Sequence, residues 1–231
     1  FCVPYAGAGA SAYHAWGKGL APAIETAAIQ LPGRETRLRE KPFNRLLQLV
    51  DALADQLDPH LDRPFALFGH SLGALIAFEV CRALRRRGRP LPTQLVVSAR
   101  RAPQLPETDE PIHALPQAAF VEVVQKRYNA LPEVIRQDPE LLDLFVPGLR
   151  ADFEMLETYR YVEDEPLSCA IVAIGGRADP RVNAEGLALW RRQTAGPFWS
   201  TTFDGGHFYL QPQRDALLSL LNQILKGSSG H

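Results

Sequence analysis

The stretch FALFGHSLGALIAFEV, residues 65–80, sets Gly69-His70-Ser71-Leu72-Gly73 between two apolar runs. The first run is short and suits a buried strand over Pro64-Phe68. The second is apolar nearly all round from Leu72 to Cys81 and suits a central, buried helix. Glycines two residues either side of Ser71 let strand and helix approach closely around a tight turn, which pushes the serine hydroxyl out above a sheet. The Leu72 backbone N–H then opens the helix, where the positive end of the helix dipole favours a nascent oxyanion. Gly88, behind Arg85, Arg86 and Arg87, reads as the cap that ends this helix. An ordinary strand-to-helix turn can carry the same pentapeptide, so a nucleophilic role for Ser71 depends on partners elsewhere in the chain.

Working outward, strand-like runs recur at Phe1-Val3, Thr26-Leu31, Pro64-Phe68, Leu95-Ala99, Ala170-Gly175 and Phe198-Phe203, with helical patterns between several of them. That alternation predicts an α/β fold with a mostly parallel central sheet flanked by helices. Leu46, Leu49, Val50, Leu53, Ala54 and Leu57 fall at helical spacing and stop at Pro59, and the leucine series from Leu217 to Leu225 predicts a closing helix with Pro212 near its first turn. From Ile112 to about Glu165 the pattern is helical without a strand, punctuated by Pro132, Pro139 and Pro147. A single domain over residues 1–226 with a lid insertion at about 112–165 is the expectation; residues 227–231, Gly-Ser-Ser-Gly-His, look like the remnant of an expression tag.

Composition bounds the function. A chain of 231 residues with 46% hydrophobic side chains can bury a substantial core, and 25 basic against 26 acidic side chains give no global attraction to nucleic acid or to an anionic membrane. Cys2, Cys81 and Cys169 are odd in number and lack a C-x-x-C spacing, which argues against a disulfide framework or a zinc site and points to a reducing, cytoplasmic setting. They read as small buried apolar groups. No apolar run approaches the ~20 residues that span a bilayer. The sequence opens at Phe1 rather than a methionine, so a leader could precede it.

A nucleophilic serine needs a base and an orienting acid at the carboxyl edge of the sheet. His207 follows the last predicted strand in Phe203-Asp204-Gly205-Gly206-His207-Phe208 and is the histidine in the right order for a Ser…Asp…His chain. His70 adjoins the serine with its ring aimed elsewhere, and His14, His60 and His113 sit in connections or a helix end. Asp179, just past the Ala170-Gly175 strand, is the expected acid, with Asp204 as its rival. Glu163, Asp164 and Glu165 precede that strand and fall at the wrong edge. The backbone N–H groups of Leu72 and Ala6 are the expected oxyanion donors, Ala6 lying in the small-residue loop Pro4-Tyr5-Ala6-Gly7-Ala8-Gly9. That loop lacks the further glycine of a dinucleotide fingerprint, and no metal site is expected.

Together these motifs resemble the α/β-hydrolase thioesterases, and most closely the free-standing type II (editing) thioesterases of polyketide and nonribosomal peptide biosynthesis. The matches run along the chain: Pro4-Tyr5-Ala6-Gly7, Leu31-Pro32-Gly33-Arg34-Glu35, Gly69 to Gly73, Ser98-Ala99-Arg100-Arg101-Ala102-Pro103, Gly176 to Val182 and Gly205-Gly206-His207-Phe208-Tyr209. Ala8 stands where many relatives carry a second glycine. Thioesterase domains fused to synthases tend to carry their acid after the strand next to the serine, whereas here no carboxylate precedes Glu107, which favours the stand-alone type. The resemblance implies hydrolysis of aberrant or stalled acyl groups held as thioesters on the phosphopantetheine arm of an acyl or peptidyl carrier protein, through an acyl-Ser71 intermediate. It implies no cofactor, and a monomer is expected.

A long arm and a greasy acyl chain call for a water-poor channel, for which Phe120, Phe145, Phe153 and Met155 are candidates beside a plain cap-core role. The arginines at 85–89 are poorly placed for docking a carrier protein, since a helix rising about 1.5 Å per residue puts Arg85 about 20 Å from Ser71; Arg100 and Arg101 are better placed, although a plain solvated face is the leading reading for them too. The alternatives are an acyltransferase, although malonyl-type transferases typically follow Gly-His-Ser-x-Gly with glutamate where Ala74 stands; a small-ester esterase or peptidase; and a silent hydrolase-fold binding module.

Overall fold

Four of the apolar runs become strands buried on both faces, and a fifth becomes a half-exposed strand at the end of the sheet. In the computed structural model, which describes residues 1–128 and 131–226, they are β1 (Cys2–Val3), β2 (Ala66–His70), β3 (Gln94–Ser98), β4 (Ala170–Gly176) and β5 (Phe198–Phe203). They pair in parallel in the order β1-β2-β3-β4-β5, with Leu67 opposite Leu95 and Leu95 opposite Ile171. Side chains alternate between two cores: Leu67, Leu95, Val97, Ile171 and Ala173 face one, Phe68, Val96, Val172 and Ile174 the other. The tag-like stretch 227–231 lies outside the described residues.

The helices are α1 (Leu46–Leu57), α2 (Leu72–Arg86), α3 (Gln117–Tyr128), α4 (Glu133–Gln137), α5 (Pro139–Thr158), α6 (Ala184–Ala188) and α7 (Arg214–Lys226). Helices α1 and α2 contribute to the first core, and α7 closes the second with Leu217, Leu218 and Leu221. Helix α2 is buried from Leu72 through Leu84, and its two interior charges are matched: Arg82 donates to Glu79 at 2.7 Å and Tyr159 donates to the same carboxylate at 2.7 Å. The helix ends as its glycine foretells, Gly88 at φ 63° with Gly88 N donating to Arg85 O and Arg89 N to Leu84 O. The trailing arginines are occupied on that side, Arg85 by Asp164 and Arg87 by Asp51 and Asp55.

Two expectations are corrected. Thr26-Leu31 does not form a strand; it meets β1 in one parallel bridge, Cys2 with Ala28, because β1 is only two residues long and offers a partner no further. Pro147 does not end a helix: α5 continues through it, and the neighbouring Gly148 lets the helix lie against the backbone at Gly33, whose carbonyl would stand 2.9 Å from an added Cβ. Pro139 instead starts α5 behind Asp138, whose carboxylate accepts from the N–H groups of Glu140 and Leu141.

Between β3 and β4, helices α3 and α5 share a small core of Phe120, Val124, Val146, Leu149 and Phe153 with Ile112 and Leu131 of the connections. Among the described residues no helix is long and apolar enough to cross a membrane. The contact of α2 with β1 leaves no room for a side chain at Gly73 in the serine turn. An added Cβ at Gly73 would lie 2.4 Å from Val3 O and 2.7 Å from Pro4 O. Gly73→Ala is therefore expected to lower the unfolding free energy by about 1–3 kcal/mol in urea denaturation; an unchanged midpoint and slope would contradict this packing.

Candidate active site

Ser71 is presented by strain. It caps α2 at φ 54°, ψ −116°, a region that costs a non-glycine residue about 1–3 kcal/mol and persists only where its surroundings enforce it. They do so here: Ser71 N donates to Ser98 O at 2.8 Å, and an added Cβ at Gly69 would sit 2.1 Å from Gly73 O. With both flanking residues reduced to glycine, β2 can turn directly into α2. Leu72, one of the expected oxyanion donors, is the first residue of the helix; Ala6, the other, is half-buried in the loop leaving β1, which abuts the turn at Val3 and Pro4.

The turn after β5 brings the base to the serine. Gly205, at φ 122°, and Gly206 allow the reversal, and Gly206 O lies so close to β4 that a Cβ at Gly176 would meet it at 2.2 Å. Ala178 N donates to Gly205 O and Arg177 N to Phe203 O, which ties the acid's loop to the base's loop. Nε2 of His207 stands 3.0 Å from Ser71 Oγ, and its Nδ1 stands 2.7 Å from Asp179 Oδ2. The Asp179 side chain is fully buried, and its other oxygen accepts from Arg181 N at 2.9 Å, so the carboxylate is fixed and compensated. Asp204, the rival acid, points to solvent with 79% of its side chain exposed and pairs with Arg177. A hydroxyl, an imidazole and a buried carboxylate in this order can move the serine proton to the ring and steady the resulting cation.

Two neighbours of the site, His70 and Tyr128, were given no role in it by the sequence. His70, fully buried, presents Nδ1 to Ser98 Oγ at 2.9 Å; Ser98 Oγ in turn lies 2.6 Å from Tyr209 Oη. Its ring sits 5.3 Å from that of His207. Burial, reinforced by the nearby His207 charge, pushes the His70 pKa well below its usual 6.5, so no second cation forms behind the imidazole. Tyr128, at the end of α3, lays its ring 5.9 Å from that of His207 and carries the Arg181 guanidinium on its own face at 4.6 Å. Burial raises the Tyr128 phenol to about 12. The signal for both was weak: one residue adjoins the motif, the other is one aromatic on a mixed helix.

A cavity of about 460 Å³ opens on Ser71 and His207. Its wall is mixed, with Arg100, Arg101 and Arg181 balanced by Glu107 and Asp109, and Leu105, Leu156 and Leu189 between them. The channel candidates are distributed differently. Phe120 and Phe153 are buried in the core of α3 and α5 with their rings edge to face, and Met155 is buried in the first sheet core, so these three line neither cavity; they lie on the inward stripe of amphipathic helices, where packing claims them. Phe145 lines a second, apolar cavity of about 280 Å³ on the side of Gly7 and Gly33. Cys2, Cys81 and Cys169 are buried free thiols.

Two measurements test this geometry. Asp179→Asn is expected to lower kcat by roughly 10⁴-fold by removing the acceptor that orients the imidazole, while Asp204→Asn stays near wild type; a crippled Asp204→Asn beside an active Asp179→Asn would reverse the assignment. Because the fold holds His70 neutral while the unfolded chain protonates it, the unfolded state binds more protons below the usual imidazole pKa of 6.5. Stability is therefore full above about 6.5 and falls as pH drops toward the lowered folded value. His70→Gln is expected to flatten that part of the urea-midpoint profile between pH 7 and 5, and an unaltered slope would contradict it.

Comparison with known proteins agrees with this architecture. The family model for the thioesterase domain matches residues 1–225. The chain is 40% identical over 226 residues to the gramicidin S biosynthesis protein GrsT of Aneurinibacillus migulanus, spanning 98% of this chain and 88% of the relative. It is 38% identical to the thioesterase PikA5 of Streptomyces venezuelae, over 92% and 75% of the two chains. Among solved structures, the RedJ thioesterase of Streptomyces coelicolor superposes with a TM-score of 0.89 at 40% identity, covering 96% of this chain and 88% of that one. The type II thioesterase BorB of the borrelidin cluster does so with a TM-score of 0.86 at 37% identity, over 97% and 89%. The serine turn, the parallel sheet behind it and these likenesses together make the chain a member of the thioesterase domain family, with the α/β-hydrolase fold.

Proposed function

We propose that the protein is a stand-alone type II thioesterase that hydrolyses acyl groups from the phosphopantetheine arm of an acyl or peptidyl carrier protein, with Ser71, His207 and Asp179 as its catalytic residues. The observation that carries the reading is the hydrogen-bonded run from Ser71 Oγ through His207 to Asp179 at the mouth of the larger cavity. Its support from relatives is that BorB and YbtT, both similar to this chain, are type II thioesterases, the latter of a mixed nonribosomal peptide and polyketide pathway. An intact hydrogen-bonded triad also weighs against a silent binding module.

In the proposed cycle Ser71 Oγ attacks the thioester carbonyl while His207 Nε2 takes its proton. The N–H groups of Leu72 and Ala6 hold the oxyanion, and collapse expels the pantetheine thiolate, which leaves with the proton from His207. Water then attacks the acyl-Ser71 ester, His207 takes the water's proton, and collapse frees the acid as the proton returns to Ser71. Asp179 orients the ring throughout. The steps call for no cofactor of the protein's own. A mixed, partly charged wall around Ser71 suits an arm rich in amides, and helices α3 to α5 act as the lid that keeps bulk water from the ester. A carrier-bound substrate places the enzyme in the cytoplasm beside its synthase.

Initial rates on an acyl-loaded carrier protein, the matching acyl-coenzyme A and a simple oxygen ester test this reading. The carrier-bound thioester is expected to show the highest kcat/KM, and Ser71→Ala to lower it by roughly 10⁶-fold. Preference for the oxygen ester would move the protein to the esterases, and undiminished turnover by Ser71→Ala would remove the serine from the mechanism.

A further inference from the structure

The loop that carries Ala6 is held from an unexpected direction. Asp152 lies on α5, is fully buried, and accepts three hydrogen bonds: from Gly7 N at 2.8 Å and from two nitrogens of Arg34 at 2.9 and 2.7 Å. Arg34 also donates to Ala8 O at 3.1 Å. One ion pair thus grips both the N–H of Gly7 and the carbonyl of Ala8, the two residues that follow Ala6. Gly7 is left-handed at φ 75°, and an added Cβ there would lie 3.0 Å from both Phe145 and Leu149 of α5, so the helix sits directly on the turn. On the other side Gly148 brings α5 against the backbone at Gly33, one residue before Arg34.

As a stability device this pair is poor. Desolvation offsets most of the attraction between buried charges, and Arg34 Nε is left buried without a partner. As a means of fixing where one backbone N–H points, it is well built: three charge-assisted bonds and a bidentate fork permit little movement of the carboxylate. The signal was present in the chain, since Asp152 is an acid on the apolar stripe of Leu149, Phe153 and Leu156, and Arg34 belongs to Leu31-Pro32-Gly33-Arg34-Glu35.

We propose that Arg34 and Asp152 are positioning residues that hold the Tyr5–Gly9 loop so that Ala6 N–H faces the oxyanion formed at Ser71, and that they thereby couple the seating of α5 to the oxyanion hole. This inference rests on the reading of Ser71 and Ala6 given under the proposed function. If α5 lifts, Gly7 loses its acceptor and the loop its register. The hole is then complete only when the helix is seated.

Two variants separate positioning from mere stability. Asp152→Asn keeps the shape and an acceptor but loses the charge that grips Arg34. Arg34→Met/Asp152→Leu removes both charges, leaves none buried unpaired, and is expected to keep its thermal midpoint. With a short acyl-pantetheine as substrate, both variants are expected to lower kcat by roughly 10²-fold with KM within a few-fold of wild type. Inhibition by a trifluoromethyl ketone analogue, whose hydrate mimics the tetrahedral oxyanion, should weaken by the same factor, while affinity for the unreactive thioether analogue is unchanged. A folded double variant with wild-type kcat and ketone inhibition, or a rise in KM alone, overturns the proposal. Wild type and Ser71→Ala are run alongside: a Ser71→Ala enzyme that still turns over defeats the nucleophile assignment, a result distinct from any outcome at Asp152.

Discussion

The structure depends on how closely β2 can run into α2. A single Cβ at Gly69 would stand 2.1 Å from Gly73 O, and one at Gly73 would stand 2.4 Å from Val3 O. With both absent, a buried helix starts within one residue of the strand's end, and Ser71 is forced to φ 54° with its hydroxyl clear of the sheet. The strain is small against the burial of α2 from Leu72 to Leu84, so the fold can carry it. Gly73 also brings the exit of β1, and with it the loop that carries Ala6, against the helix start.

Parallel pairing does the rest. Since every strand points the same way, His70, Ser98, Gly176 and Phe203 all end on one edge, and the loops that follow carry Ser71, Asp179 and His207. These loops are tied to each other as well as to the sheet, through Ala178 with Gly205 and Ser71 with Ser98. The triad is therefore held by backbone bonds, and its side chains need only reach about 3 Å. Beside it, His70, Ser98 and Tyr209 form a buried, hydrogen-bonded polar layer, while Tyr128 and Arg181 line the cavity that opens on Ser71 and His207.

Much of this was legible in the sequence, for identifiable reasons. Strands buried on both faces read as unbroken apolar runs, so β1, β3 and β4 were found nearly to the residue, and half-exposed β5 was found without that signal. Chain order puts Ser71, Asp179 and His207 on one edge, and the structure brings the three side chains together. Thr26-Leu31 misled because its composition suits a strand, while the two-residue β1 beside it leaves nothing to pair with. Pro147 misled because the tolerance of α5 for a proline comes from its tertiary seat over Gly33. The aromatic residues of α3 and α5 could not be divided between core and cavity, since amphipathic periodicity marks a buried face without saying whether protein or substrate fills it. Only packing separated Phe120, Phe153 and Met155 from Phe145.

The central claim is that the acyl group passes through an ester on Ser71. It is tested most directly by quenching the enzyme in acid during turnover of an acyl-loaded carrier protein and weighing its peptides. The account predicts an acyl mass increment confined to the peptide that contains Ser71, forming and decaying at rates compatible with kcat. An increment on any other residue, or turnover with water entering the product and no acyl-enzyme at any time, would contradict it.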